Sequence, residues 1–346
     1  MANKVETAGR VIKCAVVGLG RSGVGIHIKL LSSNRNYLVV GVFDTDFKRA
    51  REYGKSMSIK SYHALVDIAQ DNDIELVVIA TPTNTHYSIA LDMLKAKKHV
   101  VLEKPITSTT EEARILEACS NRVERYLVPF FNFRFVPEFD IIKSVINDKL
   151  IGSVYLIKRT VSYYNRRDDW QSLSSKGGGI LNAAVIHHLD QVLQLTKSKP
   201  IQIFGDIRKL VSKGDAPDHC KVMMKFKDRT VVDLEVSWAE AVSMDPWIIF
   251  GTKGMIQQIG NVIMCKWFVD DEVLPEDKGS MSYLSHEKIH WHTKSLSLPE
   301  DYAAGIDTLL YSKLHDALIK QSKNPVEMQS VIKTMEVLDS LEGLSE

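Results

Sequence analysis

The tripeptide Glu103-Lys104-Pro105 places a cation directly after the apolar run Val100-Val101-Leu102. A lysine in this position lies at the carboxyl end of a predicted parallel strand, the edge at which open α/β sheets bind their ligands. Proline restricts the residue before it to extended conformations, so Lys104 is held in a narrow range of geometry. A cation held there can stabilise negative charge that develops during a reaction. The alternative interpretation is a solvated surface lysine.

Three glycines with dinucleotide-binding spacing occur in the segment Gly18-Leu19-Gly20-Arg21-Ser22-Gly23. The segment follows a predicted strand and opens a predicted helix, which is the context that this motif requires. Gly18 permits the tight turn, Gly20 lets the main chain approach a pyrophosphate, and Gly23 allows close helix packing. The free N–H groups at the helix amino terminus favour the anion. Arg21 and Ser22 are further expected contacts, and a plain glycine turn is the alternative.

Asp44 ends the second predicted strand and bears on which dinucleotide binds. A carboxylate there accepts hydrogen bonds from the adenosine ribose and repels a 2′-phosphate. The sequence therefore favours NAD over NADP, with Thr45 as a neighbouring contact. Lys48 and Arg49 lie close enough in sequence to keep NADP open as an alternative.

Small polar residues follow the third predicted strand, in the segment Thr81-Pro82-Thr83-Asn84-Thr85-His86. Side chains here can line the nicotinamide ribose, and Asn84 can cap the next helix. A helix start without a cofactor contact is an equally open interpretation. Beyond the glycine turn and the Asp44 region, the candidate cofactor contacts are Thr81, Pro82, Thr83, Asn84, His86, Glu103, Lys104 and Asn132.

Strands and helices alternate over the first third of the chain. The predicted strands are 13–18, 38–43, 76–80, 99–102 and 126–130. The predicted helices are 24–32, 47–53, 85–96 and 109–120. Such alternation predicts an α/β domain over residues 1–130, with a parallel sheet and right-handed crossovers.

A second domain is predicted over residues 131–346, because the pattern changes after Phe131. Its first predicted elements are a helix at 137–147, a strand at 151–162, a glycine turn at 177–179 and a helix at 180–195. Further strand-like runs follow at 201–211, 221–226, 230–237 and 247–250. Few helices separate these runs, which favours a mostly antiparallel sheet. The last predicted helices, 303–317 and 327–341, are expected to pack back toward the first domain.

Composition and charge exclude several classes of protein. The 346 residues carry 44 basic and 43 acidic side chains, and a net charge of +1 leaves no electrostatic footprint for nucleic acid. The amino terminus lacks the apolar core of a signal peptide, and no apolar run approaches the roughly 20 residues that span a bilayer. The four cysteines show no Cys-x-x-Cys spacing, which argues against disulfides and zinc. We expect a soluble, cytoplasmic protein without nucleic-acid or membrane partners.

The motifs above continue in order through 132–137, 167–170, Gly178-Gly179 and His187-His188-Leu189-Asp190. Together they resemble the glucose–fructose oxidoreductase/inositol dehydrogenase (Gfo/Idh/MocA) family over nearly the whole chain. The resemblance implies a Rossmann domain followed by an α+β domain with a large open, mostly antiparallel sheet, and a homodimer or homotetramer formed through that sheet. The implied activity is metal-independent, NAD(P)-dependent hydride transfer from a secondary hydroxyl of a sugar, sugar phosphate or cyclitol.

The resemblance also assigns roles to two side chains. Lys104 matches the family's contact to the substrate hydroxyl and the nicotinamide, and His187 matches its acid/base. The chemistry agrees, because oxidation of a secondary alcohol requires a base for the hydroxyl proton and histidine titrates near working pH. A satisfied core histidine is the alternative for His187.

One departure from the family pattern concerns the helix that carries His187. Many members have aspartate or asparagine four residues before this histidine, whereas this chain has Ala183. Asn182 lies one residue earlier and about 100° round the helix. Asp190, three residues after His187, lies on the same helix face and can orient the imidazole instead.

Arg166, Arg167 and Lys176 precede this helix and suggest an acidic group on the substrate. Arginine forks suit phosphate or carboxylate, so a hexose 6-phosphate oxidised at a ring carbon is one expectation. A solvated loop is the alternative. The other candidate substrate contacts are Arg134, Tyr164, Trp170, Asn182, His188 and Asp190.

Two further functions stay open at this point. The same site run in reverse is a keto-sugar reductase, since sequence does not set the direction. A different class is a non-catalytic NAD(P)-binding regulator of the same fold. Ala183 favours the regulator, whereas the retention of Lys104 and His187 favours catalysis.

Overall fold

The computed structural model describes residues 10–269, 289–299 and 306–344. The amino-terminal segment and the predicted helix start at residue 303 lie outside these ranges. The described residues form two compact units: 10–135 with 306–336, and 136–269 with 289–299 and 337–344. None of the helices in these ranges has the length and apolarity needed to span a bilayer.

The first unit is built on a parallel sheet that, within the described residues, has six strands. They are β1 (Ile12–Val17), β2 (Tyr37–Phe43), β3 (Lys60–Ser61), β4 (Leu76–Ile79), β5 (His99–Leu102) and β6 (Leu127–Pro129). The order β3-β2-β1-β4-β5-β6 is that of a Rossmann fold, with its switch point between β1 and β4. Every residue of β4 is buried, as expected for a parallel strand covered on both faces.

Helices are distributed along the whole chain. They are α1 (Lys29–Ser33), α2 (Phe47–Met57), α3 (Leu65–Gln70), α4 (His86–Lys95), α5 (Thr110–Val123), α6 (Pro137–Asn147), α7 (Ile186–Thr196), α8 (Ile306–Lys320) and α9 (Met328–Glu342). Local chemistry sets several ends. Thr109 Oγ1 accepts a hydrogen bond from the Glu112 N–H (3.2 Å), and Glu112 Oε2 accepts one from the Thr109 N–H (3.3 Å). This capping box starts α5 shortly after the turn that follows β5 and carries Lys104, the Lys104 turn.

The second unit contains a larger sheet, of eight strands in the described ranges. They are β7 (Val154–Ser162), β8 (Gln202–Arg208), β9 (His219–Lys225), β10 (Val231–Ser237), β11 (Trp247–Gly251), β12 (Gly254–Ile259), β13 (Val262–Trp267) and β14 (His292–Ser297). The order is β14-β13-β12-β11-β7-β10-β9-β8, and the neighbours are antiparallel except β7 and β10. The predicted fold class, a Rossmann unit plus a mostly antiparallel α+β unit, is confirmed.

Two predicted helices begin differently from the prediction. The helix predicted at 24–32 starts with a π-helical turn, Gly23–Ile28, before α1, and the helix predicted at 180–195 starts with a π-helical turn, Leu181–Val185, before α7. Such turns are rare in proteins overall, and those that occur are often found at functional sites. The predicted Asn84 cap is wrong, because the cap position of α4 is Thr85 and no side chain caps it.

Candidate functional site

The glycine turn at residues 18–23 has the geometry that close packing requires. Gly18 has φ +92°, and a Cβ on it would lie 2.6 Å from the carbonyl oxygen of Ala80. A Cβ on Gly23 would lie 1.9 Å from the carbonyl oxygen of Gly18. A Cβ on Gly20 would meet no atom within 4 Å, so the main chain there is open to close approach. These features fit a dinucleotide pyrophosphate at the start of the helix.

Gly23→Ala is expected to destabilise the first unit by about 1–3 kcal/mol, because the added methyl overlaps main-chain atoms. Gly25 lies in the same π-helical turn, where a Cβ meets nothing within 4 Å, so Gly25→Ala is the matched control. Urea unfolding of both variants measures the difference. Equal midpoints for the two variants would contradict the packing role of Gly23.

Asp44 is buried at the end of β2, and its carboxylate braces the glycine turn. Oδ2 accepts a hydrogen bond from the Leu19 N–H at 2.8 Å, and Oδ1 accepts one from the Asp46 N–H at 2.8 Å. The Arg49 guanidinium lies 3.4 Å from Oδ2. Oδ1 has one donor and a second lone pair, so Asp44 retains capacity to accept from a ribose hydroxyl. Thr45, next to it, is exposed.

Asp44→Ala is expected to lower the preference for NADH over NADPH by roughly tenfold or more, since a charged hydrogen-bond acceptor is lost and a repulsion is removed. Fluorescence titration gives Kd for both nucleotides. Asp46→Ala is the matched control, because that exposed carboxylate caps α2 through the Arg49 N–H (3.1 Å). A ratio of Kd values equal in Asp44→Ala and the control would refute the assignment.

The segment after β4 is folded by its own polar side chains. Residues Thr83–Thr85 form a 3₁₀ turn. Thr85 Oγ1 lies 2.8 Å from the Oγ1 of Thr81, which precedes the turn. The buried ring of His86 has Nε2 2.8 Å from the Thr81 carbonyl oxygen and Nδ1 2.8 Å from that of Pro105. Burial lowers the pKa of His86, and this outweighs the two carbonyl contacts. His86 therefore lies between the Thr81–Thr85 segment and the turn that carries Lys104, and its neutral ring donates to one of the two carbonyls.

The turn after β5 carries Lys104, which is half-buried, and the Lys104–Pro105 peptide bond is cis. Glu103 Oε2 accepts a hydrogen bond from the Lys104 N–H at 3.0 Å, and Oε1 lies 3.1 Å from Nε2 of His27. Burial alone would raise the pKa of Glu103. The hydrogen bond and charge of His27, together with the charge and amide of Lys104, outweigh burial and hold that pKa below its usual range.

His187 and Asp190 lie on α7 with only 8% and 1% of their surface exposed. Ala183 and Asn182 precede them in the π-helical turn and are half-buried. In this widened turn the step of about 100° expected between Ala183 and Asn182 in a regular α-helix does not apply. Asn182 is thus a polar side chain on the amino-terminal side of His187, where Ala183 supplies none.

His188 has the contacts of a packed core histidine. Its Nδ1 lies 3.0 Å from Nη2 of Arg159 and 3.4 Å from Oε1 of Gln191, and the residue is buried. The Arg159 guanidinium also stacks 4.5 Å from the Trp247 ring centroid. These contacts are those of a packed side chain, and the substrate contact of His188 stays a prediction.

The remaining substrate candidates, together with the cofactor candidate Asn132, fall into three groups: an ion-paired arginine, exposed side chains, and buried residues of the first unit. Arg167 forms an ion pair with Asp169, and its guanidinium lies 5.2 Å from the Trp238 ring centroid. The exposed candidates are Tyr164, Arg166, Trp170 and Lys176. Asn132 and Arg134 are buried in a 3₁₀ turn of the first unit, where Nη1 of Arg134 donates to Ser330 Oγ at 2.8 Å. Arg167 is therefore already charge-paired within its own loop.

A separate cluster in the second unit has the residue types of a metal site. Among the described residues, His219, Glu235 and Glu240 offer ligand atoms within 4.8 Å of one another. Nζ of Lys221 lies 2.5 Å from Oε2 of Glu235 and supplies a cation there. Burial and the hydrogen bond with Glu235 raise the pKa of Glu240, so the two carboxylates can share a proton. We assign no metal to this cluster, and metal independence stays a prediction.

Family models match both halves of the chain. Residues 12–130 match an oxidoreductase family with an NAD-binding Rossmann fold, and residues 139–257 match the GFO/IDH/MocA C-terminal domain. The first match covers the glycine turn, Asp44 and Lys104, and the second covers His187 and Asp190. The chain thus has an NAD-binding Rossmann domain, and the order of the two matches is that of the two units.

Individual proteins are similar at low identity. The chain is 25% identical to the uncharacterized oxidoreductase YdgJ of Escherichia coli, over 95% of this chain and 94% of that protein. It is 25% identical to the myo-inositol 2-dehydrogenase of Thermotoga maritima, over 71% of this chain and 74% of that enzyme. The crystal structure of GenD2 from gentamicin A biosynthesis, in complex with NAD, has a TM-score of 0.79 at 20% identity, covering 99% and 97% of the two chains. That last similarity shows the fold.

Proposed function

The chain belongs to the GFO/IDH/MocA family of NAD-binding oxidoreductases, and we propose that it oxidises a secondary hydroxyl of a sugar, sugar phosphate or cyclitol. The observation that carries the proposal is the Lys104 turn. The main-chain N–H of Lys104 is held by Glu103, and the lysine follows β5, at the same sheet edge as the glycine turn and Asp44. A cation at that edge is available to a substrate that lies beside a bound nucleotide.

The cofactor is NAD, held by the glycine turn, Asp44 and the segment after β4. When bound, NAD accepts a hydride from the substrate carbon. Lys104 stabilises the negative charge that develops on the substrate oxygen, because an ammonium group favours an alkoxide over a neutral hydroxyl. His187 takes the hydroxyl proton at a ring nitrogen. Asn182 and Asp190 orient the imidazole. They take the place of the aspartate or asparagine that many family members have at the position of Ala183.

The substrate class is the finer part of the proposal. A myo-inositol 2-dehydrogenase among the relatives supports a cyclitol or a sugar. A phosphorylated sugar requires free cations, and the ion pair of Arg167 with Asp169 disfavours it, whereas exposed Arg166 and Lys176 keep it open. Comparison of kcat/KM for a free hexose and its 6-phosphate decides between them. Equal values would exclude a role for these cations in phosphate recognition.

The test of the proposed function is NAD reduction across a panel of cyclitols, sugars and sugar phosphates, followed by absorbance. The panel is repeated with NADP, and in reverse with NADH and the matching ketones, because a keto-sugar reductase uses the same groups. Turnover that falls sharply in Lys104→Ala supports the proposal. Tight NADH binding without turnover in either direction would favour the regulator instead.

We further propose that the open face of the second sheet forms a homodimer or homotetramer contact. Phe204 on β8 is 77% exposed, and Met223, its partner on β9, is 49% exposed. Two apolar side chains on one strand pair are expected to seek a partner surface. Light scattering of the chain and of Phe204→Asp tests this, and a monomeric parent chain would contradict it.

A further inference from the structure

A buried chain of titratable side chains lies beneath the turn that carries Lys104. Nε2 of His27 lies 3.1 Å from Oε1 of Glu103, and Nδ1 of His27 lies 2.7 Å from the hydroxyl of Tyr311. Glu103 Oε2 completes the chain by accepting from the Lys104 N–H at 3.0 Å. His27 and Tyr311 are fully buried, and Glu103 is nearly so.

The three side chains come from distant parts of the first unit. His27 lies in the π-helical turn that follows the glycine turn, Glu103 follows β5, and Tyr311 lies on α8. Phe130 packs edge-on against His27, with ring centroids 4.4 Å apart, and the Tyr37 ring packs against that of Tyr311 at 5.5 Å. This aromatic surround keeps water away, which strengthens the electrostatic interactions inside it.

The protons in this chain can be assigned by donor and acceptor chemistry. Glu103 is ionised because its pKa is held below the usual range, so its carboxylate can only accept hydrogen bonds. Nε2 of His27 must therefore carry a proton. When the ring is neutral, Nδ1 accepts the hydroxyl proton of Tyr311. Every member then has a partner, as a buried polar chain requires.

Burial of an ionised carboxylate carries a desolvation penalty that paired charges and hydrogen bonds must offset. Here it is buried one residue from Lys104, with its charge acting on that lysine. The titratable groups that face it are His27, Lys104 and His86, and Tyr311 acts through His27. Buried ionised groups beside a binding edge are candidates for function rather than for stability.

We propose that Glu103, held by His27 and Tyr311, is a positioning residue that fixes the Lys104 turn and favours the charged form of the Lys104 ammonium. Its contribution to catalysis rests on the proposed function, whereas its effect on Lys104 does not. The two can therefore be tested apart.

The test measures the protonation of Lys104 without any substrate. The full chain, with and without NADH, is acylated briefly with acetic anhydride over a range of pH, and the modified fraction of Lys104 is read by peptide mass spectrometry. Only the neutral amine reacts. In Glu103→Gln the midpoint of this profile is expected to fall by about one pH unit, because an opposite charge has been removed.

Two matched hydroxyl deletions separate the proposed chain from general packing. Tyr311→Phe removes the hydroxyl that contacts His27, whereas Tyr37→Phe removes a neighbouring buried hydroxyl that donates to the Tyr311 carbonyl at 2.8 Å. Tyr311→Phe is expected to shift the midpoint in the same direction as Glu103→Gln, and Tyr37→Phe is expected to leave it in place. If Glu103→Gln fails to fold, the comparison of these two tyrosine variants still tests whether the buried chain acts on Lys104.

An unchanged midpoint in a folded Glu103→Gln, or equal midpoints in the two tyrosine variants, would overturn the proposal. Where a substrate is turned over, Glu103→Gln is also expected to lower kcat more than it raises Kd for NADH. If no substrate is found, the proposed function fails while the acylation result still stands.

Discussion

Lys104→Ala is expected to lower kcat/KM by roughly 10²–10³-fold, the range found when one preorganised stabilising group is removed from a developing oxyanion. The loss falls mainly on kcat, because the ammonium group is needed most when the alkoxide forms. Kd for NADH is expected to change much less, since the glycine turn and Asp44 remain. Steady-state NAD reduction and fluorescence titration give the two quantities.

Lys95→Ala is the matched control, because Lys95 is an exposed lysine at the end of α4 in the same unit. It is expected to behave as the parent chain. Lys104→Arg retains a cation but changes its shape, and is expected to recover only part of the activity. A fully active Lys104→Ala enzyme would show that the substrate oxygen is stabilised elsewhere.

His187→Asn is expected to lower kcat by roughly 10²–10⁴-fold near neutral pH, the usual contribution of a positioned general base. The loss is expected to shrink as pH rises, because hydroxide replaces the missing base. The parent chain is expected to lose activity on the acid side as His187 takes up a proton, and the variant is expected to lack that limb. Profiles of kcat against pH test both expectations.

His292→Asn controls for the loss of an imidazole from the second unit, since His292 is an exposed residue of β14. It is expected to leave the profile unchanged. An acid limb that persists in His187→Asn would assign the base to another group. The same series with Asn182→Ala measures how far that amide compensates for Ala183.

Sequence predicts well where local chemistry decides the structure. The bounds of β5 and α6 agree with the prediction, because an apolar β-branched run defines the strand and Pro137 starts the helix. Gly18 and Gly23 also have the packing constraints that their spacing implies. These features depend on neighbours a few residues away.

Contacts between residues that are far apart in the sequence are not predictable in the same way. No local pattern pairs His27 with Tyr311, which are 284 residues apart, or links His86 with the Pro105 carbonyl. The strand β3 has only two residues, too few to show a period. The π-helical turn before His187 is likewise invisible to a 3.6-residue repeat. What sequence missed is therefore a set of supporting contacts between residues far apart in the chain.

This chain is expected to move a hydride from a carbon of its substrate to NAD. The most direct measurement is a single turnover with NAD and a panel substrate, myo-inositol first, deuterated at every ring carbon, followed by mass spectrometry of the nucleotide. We expect reduced nucleotide that carries one deuterium in the parent chain, and the same labelled product formed roughly 10²–10³-fold more slowly in Lys104→Ala. Reduced nucleotide without deuterium, or bound NAD that is never reduced by any member of the panel, would contradict it.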